Sequence, residues 1–363
     1  MPVTLLEGQE SRVKLSHRIL QGLPPWVVAL VLMAPEHGGA FDLPVAIVQL
    51  PDDEGSKPCR ADEVTPLPPS EARPANDDEN LRDWLRNMVW YHAYSHAEIA
   101  AATGLTEVDV VAALRRHKIE PSGRPLRRAE DRLVLLPYPG GRHPRKGFLE
   151  GAVRPQRETK VSVFTPWDPA SYVVVDAPEA IWSNLGLLYL AHTHVPTVWT
   201  QRGVDLEPLE WNARPAGGLE IERKLPNGVA FATKVIASAG AVQMELRFTN
   251  GSDVPLSDLR VQNCVMLARA TGFDQQTNDN KTFSKPYVAC RNADGTRWII
   301  TAWERCNKPW ANDKCPCMHS DPKFPDCKPG ETHLLRGWLS FYEGRDVAGE
   351  FRRIEAAGWR KEP

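Results

Sequence analysis

Between residues 159 and 344 the sequence repeats one arrangement: a run rich in branched and aromatic side chains, then a turn signal. The runs are TKVSVFTPW (159–167), SYVVVDA (171–177), LGLLYLAHTHVPTVW (185–199), GLEIERKL (218–225) and GVAFATKVIA (228–237). They continue with AVQMELRFTN (241–250), DLRVQNCVMLA (258–268), RWIITAWE (297–304) and THLLRGWLSFYEG (332–344). Pro226-Asn227-Gly228, Asn250-Gly251 and Asp294-Gly295 punctuate them at roughly the 8–12 residue spacing of sandwiches. Branched and aromatic side chains suit a pleated surface, and Asn-Gly or Asp-Gly supplies the left-handed backbone of a tight turn. The 32 prolines and 12 tryptophans agree, because helix interiors exclude proline. The expected fold class is mainly β: a large antiparallel β-sandwich over residues 136–363, with a short helix near 345–358.

Upstream the composition changes three times. Residues 1–50 read as a small N-terminal β element, because the apolar runs WVVALVLMA (26–34) and LPVAIVQL (43–50) flank a Gly-Gly turn. A nine-residue run is far short of the roughly 20 needed to span a bilayer, so no membrane partner is expected. A second apolar run and no small-residue cleavage site argue against a secretory leader. A cytoplasmic protein with reduced thiols is therefore expected, or a secreted one if the cysteines are bridged. Residues 51–80 carry nine acids, three bases and six prolines, the composition of an extended acidic linker.

Residues 81–135 read as a helical module with a basic arm. Leu81, Trp84, Leu85, Met88 and Val89 fall at helical spacing. Ser95 with Glu98 forms a capping box, Gly104 suits a left-handed helix end, and Thr106 with Asp109 opens the next helix. Over residues 81–120 the stretch resembles the helix-turn-helix of bacterial regulators, through Ala100, Gly104, Leu105 and Val110. The resemblance implies that the second helix meets DNA, with Arg115, Arg116 and Lys118 as its contacts. Glu107 and Asp109 at that helix's start would instead face phosphates. Residues 115–160 hold 13 bases against five acids, which suits either a phosphate-binding arm or a solvated connector.

VQMELRFTNGSDVPLSDLRVQNCVML resembles the paired strands of large bacterial β-sandwich proteins of the galactose-mutarotase-like type, a likeness taken over residues 138–345. It implies a fold and no catalytic residue.

Four of the seven cysteines and one histidine lie in CNKPWANDKCPCMHSDPKFPDC (306–327), which reads as a turn-rich loop. If extended, Cys315, Cys317 and His319 leave one face, and Cys306 or Cys327 could close a tetrahedron around zinc or another divalent transition metal. Disulfides, with Cys264 and Cys290 among the partners, and free thiols are the alternatives. In LAHTHVPTVW, His192 and His194 alternate in a strand-like run and could chelate a metal with a third ligand. Their alternative is hydrogen bonding within a sheet face. Glu304 and Asp321 are the candidate acid-base groups beside them, although Asp321 before Pro322 also suits a turn. Trp199, Trp303 and Trp310 could stack on a sugar ring, with Asn278 in the polar rim FDQQTNDNK (273–281). No phosphate loop, dinucleotide fingerprint or nucleophile elbow is present.

Three functions fit. One is a metal-dependent hydrolase acting through a concave sandwich face, on a carbohydrate or ester. A second is a ligand-sensing DNA-binding regulator using residues 81–135. The third is a carbohydrate-binding module without turnover. The sequence sets no oligomeric state.

Overall fold

The computed structural model describes residues 72–128, 130–145, 157–192, 195–214 and 218–361. The N-terminal β element expected over 1–50, and the linker as far as residue 71, lie outside them. Fifteen strands follow in chain order: β1 Leu135–Pro137, β2 Lys160–Phe164, β3 Tyr172–Ser183, β4 Gly186–Leu190 and β5 Asn212–Ala213. Next come β6 Leu219–Lys224, β7 Ala230–Ala237, β8 Ala241–Thr249, β9 Arg260–Met266 and β10 Lys281–Ser284. The last are β11 Tyr287–Arg291, β12 Arg297–Trp303, β13 Cys306–Asn312, β14 Cys317–Pro322 and β15 Thr332–Glu343.

They form two antiparallel sheets. A seven-stranded sheet runs β1-β2-β3-β9-β14-β13, with β4 also paired to β3; an eight-stranded sheet runs β10-β11-β12-β15-β8-β7-β6-β5. Alternate residues of facing strands fill the space between them, such as Val161, Val173, Val175, Val261 and Val265 against Ile221, Phe231, Met244 and Leu246. Each fully buried side chain of this kind contributes roughly 1.5–3 kcal/mol. The chain is mainly β, a sandwich, as its alternation predicts.

The other face of the seven-stranded sheet is covered as well. Helices α1 Asp78–Arg86, α2 His96–Thr103 and α3 Glu107–His117 lie ahead of it in the chain, and a π-helical turn, Asn87–Tyr91, continues α1. Ser95 and Glu98 make both bonds of the capping box, Gly104 ends α2 at φ +77°, and Thr106 caps α3. The helices dock through polar bonds. His92 Nδ1–H donates to Asn87 O (3.1 Å), and its Nε2 accepts from Ser162 Oγ (2.7 Å) on β2. Tyr94 donates to Gly140 O (2.7 Å), and Arg142 pairs with Glu98. Gly141 needs to be glycine: its φ is +72°, and a Cβ there would meet Glu98 O at 2.4 Å. Helix α4, Val347–Ala356, covers the outer face of β11 and β12 through Phe351 and Ile354.

Two strand boundaries depart from expectation for physical reasons. The run 171–177 continues to Ser183, because a bulge between Asp176 and Ala180 absorbs Pro178, which has no N–H for the ladder. The stretch 306–327 is not a turn-rich loop. It is largely the hairpin β13–β14, with Trp310 opposite His319.

Candidate metal centre

The cluster sits on the helix-covered face of the seven-stranded sheet. On β14 the side chains of Cys317, His319 and Asp321 share that face, whereas Met318 joins the core between the sheets. Cys317 pairs with Met266 and Met318 with Val265, so the register carries His319 towards Cys264 on β9. One donor atom each from Cys264, Cys317 and His319 lies within 4.8 Å of the others, and all three residues are buried. His319 Nε2 is 3.2 Å from Cys317 Sγ. The Cys315 thiol, just before β14, also bonds to the Cys317 sulfur.

The bulge in β3 delivers a carboxylate. Gln262 Nε2 donates to Glu179 Oε2 (2.9 Å), and Arg145 pairs with Oε1. Ala191 N–H donates to the Glu179 carbonyl (2.8 Å), which brings His192 Nε2 to 2.8 Å from Glu179 Oε1. His319 Nδ1 faces two carboxylates, Glu179 Oε2 at 3.9 Å and Asp321 Oδ1 at 3.8 Å. Trp310 stacks on the His319 ring, with centroids 3.9 Å apart and planes 11° from parallel, and donates Nε1–H to Asp321 Oδ2 (2.5 Å).

These neighbours set the charges. Hydrogen bonds from the Cys264 and Cys315 thiols, with His319 adding to them, hold Cys317 far below the ordinary thiol range. Burial opposes charge on His319, but the Cys317 sulfur, Asp321 and Glu179 together outweigh it and raise the ring to about 9. Burial also works against ionised Glu179, yet Arg145 and His319 keep it below the usual carboxylate range. Asp321 is pushed up to about 6 by burial, offset in part by His319 and Trp310. A thiolate, a second thiol and an imidazole backed by carboxylates form the donor set that a borderline-soft divalent ion takes.

The residues expected from sequence fall into several places. Cys317, His319, Asp321, Trp310 and His192 come together, and Cys315 adjoins them. Cys306 does not, because its thiol bonds with Ser320, on the other face of β14 from His319. Cys327 bridges to Leu256 instead. Strand β4 stops at Leu190, so His192 lies beyond it and not within a strand; His194 lies outside the described residues. The Glu304 carboxylate is occupied by Arg336, accepting from its N–H at 2.9 Å. Trp199 and Trp303 are core residues at 4% and 1% exposure, so neither ring can receive a ligand. The Asn278 side chain donates to Ala311 O (3.4 Å) on the β13 backbone. The six cysteines among the described residues are free thiols.

Of the expected DNA contacts, Arg116 is paired with Asp78, while Arg115 and Lys118 line a surface groove with Val111 and Leu114. Four charges of the basic stretch sit in ion pairs: Arg145 with Glu179 and Lys160 with Asp176 in the interior, Arg142 with Glu98 at its edge, and buried Arg157 with the exposed Glu210. Their role is internal, since a buried charge is tolerated only when paired.

Sequence reasoning missed Glu179, Arg145, Gln262 and the place of Cys264 beside Cys317 and His319. An acid beside proline inside an apolar run, DAPEAIW, was the available signal for Glu179. Cys264 is a neighbour of His319 only through strand pairing.

No protein-family model matches this chain, and no curated protein matches it at a significant level. Among solved structures it is similar to a protein assigned as a kojibiose phosphorylase from the human microbiome. That likeness has 5% identity and a TM-score of 0.27, and it covers 40% of this chain and 20% of that one. It is also similar to a protein assigned as an aldose 1-epimerase from Klebsiella pneumoniae, with 8% identity, a TM-score of 0.26, and 54% and 58% covered. For a heparan sulfate lyase mutant from Pedobacter heparinus the values are 9% identity, a TM-score of 0.30, and 77% and 45% covered. The chain spans less than two thirds of the length of each. Among the described residues no helix is long and apolar enough to cross a membrane.

Proposed function

We propose that the protein is a metal-dependent hydrolase whose zinc-class ion is held by Cys264, Cys317 and His319, with Glu179 and His192 as its proton-handling pair. The observation that carries this reading is the convergence of those three donors within 4.8 Å, beside a His319 Nδ1 that faces Glu179 and Asp321. At 3.8 and 3.9 Å those carboxylates act on the His319 ring through their charge, while its Nε2 faces the Cys317 sulfur at 3.2 Å. Two sulfurs and one nitrogen suit zinc above magnesium or calcium, and three protein ligands leave a fourth position open. When bound, such an ion lowers the pKa of a water and polarises an acyl or glycosyl oxygen.

The protein's own groups do the rest. Glu179, held ionised by Arg145, orients His192 across 2.8 Å and stabilises its protonated form after it accepts a proton. Asp321 and Trp310 are the members that reach solvent, so substrate arrives past them.

The test is elemental analysis of purified protein and single variants. One tightly held transition metal is expected in wild type, lost in Cys264→Ser, Cys317→Ser and His319→Ala, and kept in Cys315→Ser. A metal content unchanged in Cys317→Ser and His319→Ala would overturn the assignment.

A further inference from the structure

A second set of donors stands apart from the first. Cys327, Glu331 and His333 bring one sulfur, one carboxylate oxygen and one imidazole nitrogen within 4.8 Å of one another. Cys327 is buried, and Glu331 and His333 are half-buried, so solvent reaches the set from one side.

The backbone beneath these donors is fixed by hydrogen bonds that need no ion. Cys327 N–H donates to Leu256 O (2.8 Å), and Leu256 N–H donates back to Cys327 O (2.9 Å). Asn250 is the clamp. Its Nδ2 donates to Cys327 O (2.9 Å), its N–H donates to Glu331 O (2.9 Å), and its carbonyl accepts from Gly330 N–H (2.6 Å). His333 is held in β15 opposite Phe248. Donors mounted on a pre-ordered backbone lose little entropy when an ion arrives.

The side chains are oriented too. The Asp326 carbonyl takes His333 Nε2–H (3.1 Å), which leaves the ring's lone pair on Nδ1. This is the outer-sphere bond that a ligating imidazole characteristically makes. Lys328 N–H holds Glu331 Oε2 (2.8 Å) and leaves the other oxygen available.

We infer that Cys327, Glu331 and His333 form a second transition-metal site, independent of the first and exchanging more readily with solvent. One thiolate, one imidazole and one carboxylate select zinc, cobalt or nickel over magnesium or calcium. Three protein donors leave room for at least one water. The sulfur of Cys327 gives up its proton on binding, so binding releases protons to the buffer.

Cobalt(II) alone is the probe, added to chelator-stripped full-length protein and followed by thiolate-to-cobalt absorption and by equilibrium dialysis. Wild type should bind two equivalents, and His333→Ala or Glu331→Gln should bind one. Cys317→Ser should keep one equivalent that retains a thiolate band and is lost when Cys327→Ser is added. If wild type binds two and Cys317→Ser still binds two, the first site fails and this one stands. If His333→Ala and Glu331→Gln both bind cobalt as wild type does, this inference is overturned whatever happens at the first site.

Discussion

Glu179 shows how one side chain can organise a site. It is fully enclosed, yet Arg145, His192, Gln262 and His319 surround its two oxygens. Replacing it by glutamine keeps the shape and removes the charge. Glu179→Gln should retain the metal and lower kcat by about 10²-fold or more, the usual contribution of a positioned acid-base group. Equal kcat in the two proteins, on any hydrolysable substrate found for the wild type, would remove Glu179 from the chemistry. Cys315 makes the complementary case. Its thiol bonds to the Cys317 sulfur but is not among the three converging donors, so Cys315→Ser should weaken zinc binding by no more than about tenfold, one strong hydrogen bond's worth. Competition with a colorimetric chelator measures it. Complete loss of zinc would mean that Cys315 is a ligand.

At the scale of elements, the helices are tied to the seven-stranded sheet by His92. Its ring is buried, donates to Asn87 O and accepts from Ser162 Oγ. Burial lowers it to about 3, with nearby Arg142 and Arg124 adding to the effect and the Asn87 carbonyl opposing it. The sign follows. Between the unfolded histidine's ordinary pKa and about 3 the unfolded chain takes up a proton that the folded one refuses. Stability is therefore complete above about pH 6.5 and falls as pH drops, by at most on the order of 4 kcal/mol near pH 3. Urea unfolding of wild type and His92→Gln across this range checks it: the variant should lose the slope that His92 contributes. An unchanged slope would contradict it. The same elements show what the sequence disclosed. The capping box, the Gly104 end of α2 and the terminal helix were legible because caps and apolar periods are local. The alternation of Cys317 with His319 was legible too, since a strand's period is two. The bulge in β3 was not, because Pro178 reads as a stop unless its pairing partner is known. The approach of Cys264 to His319 was also hidden, for it depends on the register of β9 against β14, more than 50 residues away.

For the whole molecule, charge is placed to satisfy interior demands first. The basic stretch that suggested phosphate binding places Arg142, Arg145, Arg157 and Lys160 in ion pairs, of which only Arg157's partner, Glu210, is exposed. The tryptophans behave similarly, with Trp199 and Trp303 in the core and Trp310 beside the site. The proposed metal, joining β9 to β14, would also link folding to ion binding. At an ion concentration about 1,000 times its Kd, the folded state gains about 4 kcal/mol. Chelation should therefore lower Tm by several degrees in wild type and by less in Cys264→Ser, which lacks this ion; equal shifts in the two proteins would contradict the link. The ligand set itself is tested most directly by X-ray absorption at the zinc edge, on protein loaded with one equivalent. Two sulfurs at about 2.3 Å and lighter nitrogen or oxygen neighbours at about 2.0–2.1 Å are predicted. A spectrum with no sulfur shell, or one unchanged in Cys317→Ser, would contradict the account.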